Sequence, residues 1–434
     1  MSPLQLAVLA LTWCASSVFA QGLTPPPGPV GATMKTLDQV EPSTPLSMAD
    51  GDPMASSFIT IDEPGAYHLT ENIVADATFA VIRIHTEGVL LDLGGFTVAS
   101  ATAGFSNSAI FVDGSSEVVV RDGFVRHSQV GLNVNGPALI ERVVASNNTR
   151  QGFWLQPSDS TRVSSCIAER NGQGQSGLFA PDGGFLIGRG TPALLSDCVA
   201  TENNGFGFFT GANVVQTGDP LFPSGQRGSA QLKNCIANAN SLSGFFARFG
   251  ATFVRCVAED NGINGFEALQ VSVLDSCESH NNTFDGFQIG PLSTLTNSNA
   301  DFNGRDGVRV TNDHVVVEDS RFSRNEAVGI RVTNNSVGSV IRDNASMANG
   351  VGISLENGTD RCRMEGNSTS SNTSAEWSIR GANHIVVKNS ANWTGPSGDG
   401  LIISGPHSIG PFVVNNTGLE TFSAWANFVT ASID

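Results

Sequence analysis

The sequence predicts an all-β fold, a parallel β-helix in which short coils stack into a rod. Two observations carry this. One frame recurs about every 21 residues between positions 143 and 367, and such a fixed short period marks a solenoid. Within the frame, apolar residues alternate with period two over runs bounded by Asn, Asp and Gly, and no run shows helical periodicity. With insertions set aside, the length accommodates about 14 coils of roughly 21–22 residues.

The frame reads column by column. Cys166, Cys198, Cys235, Cys256, Cys277 and Cys362 stand five residues before Asn171, Asn203, Asn240, Asn261, Asn282 and Asn367. Gly207, Gly244, Gly265 and Gly286 follow the asparagine by four, and an apolar residue comes next: Phe208, Phe245, Phe266, Phe287, then Val308 and Ile330. Val163, Leu195, Leu232, Phe253, Leu274, Leu295 and Val317 precede the cysteine position by three. Like residues in successive coils stack about 4.8 Å apart. Stacked asparagines can bond one another and satisfy the backbone of a bend, glycines suit a bend with no room for a side chain, and the phenylalanines form an inner aromatic stack. Cysteines in one column point the same way, which disfavours relaxed disulfides, so they read as buried, unreactive thiols.

The 434 residues divide by composition. Residues 1–20 combine an apolar stretch with Val18-Phe19-Ala20, the pattern of a signal peptide, so the chain is expected to be secreted, extracellular or periplasmic. Residues 21–57 are proline-rich and read as an extended arm or linker. Residues 58–405 form the β-helix, lengthened by insertions at 172–183 and 211–230, and 406–434 form a C-terminal cap. The 40 acidic against 23 basic residues give a net charge of −17, which disfavours nucleic acid as a partner. No stretch is apolar for long enough to predict a membrane span.

The Gly-apolar-x-apolar strands with their Asn and Cys columns resemble right-handed parallel β-helix repeat proteins of the pectin-lyase-like superfamily. The opening, with Pro25-Pro26-Pro27, Met34-Lys35-Thr36-Leu37 and Ile59 to Leu69, is similar to a branch of secreted bacterial members without assigned activity. The resemblance implies a right-handed coil and, in members with known activity, polysaccharide lyases, glycoside hydrolases, epimerases and phage tailspikes. It transfers no catalytic residue. The Asn-Thr-Asp, Asp-Asp, Gly-His-Gly and Arg-Ile-Lys motifs of the polygalacturonase-like hydrolases are absent, as is the pectate-lyase Trp-x-Asp-His signature.

What does not repeat is where a site is expected. The outward position two after the glycine runs Trp154, Leu186, Phe209, Phe246, Glu267, Gln288, Arg309, Arg331 and Ser354. Outward aromatic residues in a row need a cover or a use. As a substrate-binding strip, the rings would lie against pyranose faces while Glu267, Gln288 and the arginines bond hydroxyls or carboxylates. The alternative is a non-catalytic structural or adhesive surface rod whose aromatics are packed over by loops or the arm. Asp285 and Asp306, one residue before the glycine in adjacent coils, are the weak catalytic candidates together with Glu267; two carboxylates about 5 Å apart suit retaining glycosidic chemistry or a cation. Calcium apart, no metal or other cofactor is implied. His280, His314, His384 and Lys388 read as surface residues on bends. Sequence leaves the ligand and the oligomeric state open.

Overall fold

A computed structural model describes residues 43–114, 117–156, 160–173, 182–188, 192–212, 230–333, 335–381, 383–392, 401–403 and 412–414. The signal-peptide stretch, most of the arm, the bulk of both insertions and most of the C-terminal cap lie outside these residues. The chain divides into Met1–Pro42 and Ser43–Asp434, and every described residue belongs to the second unit.

That unit is a right-handed solenoid of about 14 parallel coils. One coil shows the plan: Phe245–Ala247, Ala251–Val254 and Val257–Glu259 are its three strands, and Phe266–Ala268 opens the next. The first strand of each coil joins a 15-stranded sheet running from Ser57–Ile61 to Leu401–Ile403. The second and third strands build a 28-stranded sheet that folds around the remaining sides. In Val118–Arg126 and Ala138–Ser146 these two strands are one continuous bent strand. Within the predicted arm, Thr44–Leu46 pairs in parallel with Tyr67–Leu69 and extends the long sheet.

The bends explain the frame. Asp122, Arg142, Ser165, Asp197, Asn234 and Arg255 turn one corner with φ between 51° and 62°. Few side chains tolerate that region, and each coil must pass through it. At the next corner the asparagines form a continuous buried ladder. Asn261, for example, donates both its backbone N–H (3.1 Å) and Nδ2 (2.9 Å) to Asn282 Oδ1, and Nδ2 also reaches the carbonyl of Ala237 at 3.0 Å. The ladder runs from Asn148 to Asn372 and supplies partners that no strand ladder provides. The glycine column owes its identity to this ladder. A Cβ on Gly286 would lie 2.7 Å from the carbonyl oxygen of Gly307 and 2.8 Å from Asn303 Nδ2.

Inside, Phe153, Phe185, Phe208, Phe245, Phe266 and Phe287 stack with centroids 4.6–4.9 Å apart and interplanar angles of 3–16°. All six cysteines of the described chain are free and buried. Burial pushes the thiols of Cys166 and Cys277 up to about 12 and that of Cys362 up to about 11.

Two expectations are corrected. Cys362 does not continue the cysteine column. After Cys277 that column passes through Ser298, Ser320, Asn344 and Asn367, each accepting a backbone N–H from the coil before. Cys362 stands instead in register with Ser339, beside the pair Val340–Arg363. Nor is His384 a surface residue. It is 2% exposed; its Nδ1 accepts the Cys362 N–H at 3.2 Å, and Nε2 lies 2.9 Å from the Arg380 carbonyl. A ring that accepts at Nδ1 and donates at Nε2 is neutral, and burial lowers its pKa accordingly.

Candidate functional site

The 15-stranded sheet sets the outward position of each first strand in a single register. Asn133 pairs with Trp154, Trp154 with Leu186, Leu186 with Phe209 and Phe209 with Phe246. The row continues through Glu267, Gln288, Arg309, Arg331 and Ser354. Because side chains alternate across a strand, all of these residues point away from the core on one face of the rod.

The aromatic half is a satellite cluster separate from the main core, formed by Leu186 and Phe209 with Trp154, Phe206 and Phe246 packed on them. Phe209 and Phe246 stack at 4.6 Å, and the Phe206 ring lies 5.1 Å from each. Leu186 and Phe209 are buried, whereas Trp154 and Phe246 keep part of their surface in solvent. The Trp154 indole N–H has no hydrogen-bond partner among the described residues. Phe206 falls outside the repeating columns of the sequence. Its signal is that it fills the position before the column glycine, where the following coils carry Ser243, Asn264, Asp285 and Asp306.

The polar half begins at Glu267. Its carboxyl accepts from Ser243 Oγ at 3.0 Å and from Asn264 Nδ2 at 3.4 Å. Burial raises its pKa, the Ser243 and Asn264 bonds oppose that rise, and the charge of Asp285 adds to it. Gln288 Oε1 lies 3.4 Å from Asn264 Nδ2. Arg331 is held by Asp306 (Nε to Oδ2 at 2.6 Å) and by Glu356 at 2.7 Å. Between them, Arg309 makes no hydrogen bond or ion pair with a described residue, and its Nε is buried without a partner.

Asp285 and Asp306 do stand in adjacent coils, but both carboxylates are fully buried. Asp285 accepts from Arg305 Nε at 2.6 Å and from Arg305 Nη2, and it also caps the backbone N–H of Asp306 at 3.2 Å. Asp306 in turn caps the N–H of Val328 at 3.1 Å. With Ser243 Oγ capping Asn264 N–H and Asn264 Oδ1 capping Asp285 N–H, the four side chains form a second ladder under the strip. That arrangement occupies both acids with structural duties.

Earlier on the same face, Asp113 binds Arg83 Nη2 and lies 3.0 Å from His85 Nδ1. Among the described residues no group of three or more His, Cys, Asp or Glu could hold a metal ion, and no helix is long and apolar enough to cross a membrane. His280, half-buried, lies 3.4 Å from Glu278, while His314 and Lys388 are exposed on bends.

Three overlapping stretches, residues 58–219, 108–284 and 270–392, match the family described as right handed beta helix region. No curated protein matches the chain. Among solved structures, it is similar to the A-module of Azotobacter vinelandii mannuronan C-5 epimerase AlgE6, with 16% identity, 79% of this chain and 92% of that one covered, and a TM-score of 0.42. For the AlgE4 A-module of the same organism the values are 15%, 82%, 91% and 0.40. Tailspike protein 3 of bacteriophage CBA120 is 9% identical, with 85% of this chain and 58% of that one covered and a TM-score of 0.40.

Proposed function

The chain belongs to the right-handed β-helix family, and from that rigid scaffold we propose that it binds carbohydrate along the outward row from Trp154 to Arg331. One observation carries the reading. A single register leads without a break from the partly exposed rings of Trp154 and Phe246 to the hydrogen-bonding groups of Glu267, Gln288 and Arg309. Apolar ring faces beside a few fixed polar groups are the usual make-up of a saccharide-sized site. Export directed by residues 1–20 would put the rod where polysaccharide is met. Binding rather than turnover is the proposed mode, because Asp285 and Asp306 are each engaged by arginine and by a backbone N–H.

The burial of Leu186 and Phe209 favours a second reading, a structural or adhesive rod whose aromatic cluster serves packing alone. Retention of the purified protein on a panel of neutral and acidic polysaccharides, with assay of new reducing and unsaturated ends, separates the two. Carbohydrate binding predicts retention that Trp154→Ala and Phe246→Ala each weaken, measured well below the melting temperature of either variant. A lack of retention across the panel would sink it in favour of the rod.

A further inference from the structure

The strip is unequal in charge along its length. Its aromatic half, Trp154 to Phe246, presents no cation in the row itself; Arg248 lies past the strand end, with its guanidinium 5.8 Å from the Phe249 ring centre. Glu267 follows, an acid in the middle of the path. Of the arginines at the far end, Arg305 is committed to Asp285, and Arg331 to Asp306 and Glu356. Arg309 is left as the one guanidinium of the row without an acidic partner among the described residues. Nε of this half-buried arginine is occluded, so its terminal Nη pair is the part of the fork that can grip a carboxylate or sulfate bidentately.

Coil spacing of about 4.8 Å sets about one sugar against each coil if a glycan lies along the rod. A homopolymeric uronate would then place a carboxylate beside Phe209, Phe246 and Glu267, with no cation of the row opposite, on a chain of net charge −17. We infer that the strip takes a heteropolysaccharide with sparse acidic residues, its neutral sugars over Trp154 to Phe246 and a single carboxylate or sulfate on Arg309. This rests on the carbohydrate reading above and narrows it to a substrate class.

Calorimetric titration of the full chain with three probes tests it: oligomers of gellan, a linear polymer with one glucuronate among neutral sugars in each repeat; polygalacturonate oligomers of equal length; and neutral cello-oligosaccharides. Gellan oligomers are expected to bind roughly tenfold more tightly than the neutral cello-oligosaccharides, the scale of one charge-assisted contact, and more tightly than polygalacturonate, whose further carboxylates meet no cation of the row. Arg309→Gln should erase the gain of gellan over the neutral oligomers, whereas Arg162→Gln, exposed on the long sheet, should leave that gain intact. Polygalacturonate binding as tightly as gellan, or an Arg309→Gln variant that keeps the gain of gellan over the neutral oligomers, overturns the inference while the carbohydrate reading stands. Absence of binding to every probe overturns both.

Discussion

Asn372 donates its backbone N–H at 3.3 Å, and its Nδ2, to the carboxyl of Glu376. Glu376 stands where the preceding coils carry glycine, between the register pairs Val351–Ala375 and Ile353–Trp377. Its side chain thus supplies the acceptor that asparagine supplies in every earlier rung. Glu376 is fully buried, and burial raises its pKa against the opposing bonds from Asn372. The sign follows from linkage. A folded pKa above the unfolded value means that the native state holds the proton more tightly, so this contribution is complete below the unfolded pKa of about 4.3 and is lost as pH rises through the folded value. Melts over a pH series should show the parent losing stability relative to Glu376→Gln in that window; parallel curves would refute the assignment. Glu376→Ala strands two donors of Asn372 and should cost about 2–4 kcal/mol.

His384 gives the opposite slope. Its pKa is lowered, mainly by burial, with the Arg380 carbonyl and the charge of Asp360 opposing. The folded value lies below the unfolded one of about 6.5, so the stability it contributes is present above that pH and lost as pH falls through the folded value. In an NMR titration the His384 ring should stay neutral where an ordinary surface imidazole is half-protonated. Protonation at the ordinary pH would show that its bonds to Cys362 and Arg380 do not hold in solution.

The inward columns are legible in the sequence because stacking repeats one residue at one depth in each coil. Phe153 to Phe287 and Asn148 to Asn372 are therefore visible as a period. Legibility fails where two columns use the same residue. Asn344 and Asn367 continue the cysteine column, yet they also stand five residues before Asn349 and Asn372, so the spacing that matched Cys362 to Asn367 matched the wrong rung. His384 was hidden for a related reason: a histidine read as polar at a bend is the neutral end of a serine-rich column. The candidate site is legible in register alone. That Leu186 and Phe209 bury themselves, and that Phe206 closes over them, depends on contacts between coils of unequal length.

The thiols should be chemically silent. Cys166, Cys198, Cys235, Cys256, Cys277 and Cys362 are buried, and reactivity needs an accessible thiolate. Iodoacetamide at pH 8 should leave these six unlabelled in the native protein and modify all of them in denaturant, read by mass spectrometry. Labelling of any one in the native state would mark its coil as locally open.

Asp285 and Asp306 should behave as struts. Removing the Asp285 carboxylate leaves Arg305 and the buried Asp306 N–H without a partner; removing that of Asp306 leaves the buried Val328 N–H without one and Arg331 with Glu356 alone. Both arginines retain some contact with solvent, which discounts the loss of the ion pair, so each alanine variant should lose on the order of 2–3 kcal/mol. Asp285→Asn keeps an acceptor for the Asp306 N–H and should lose less than Asp285→Ala, whereas a group serving only as an acid would rank the two variants alike. Thermal melts give the ranking directly. If both alanine variants melt with the parent yet abolish glycan turnover, the two acids belong to chemistry and not to the ladder.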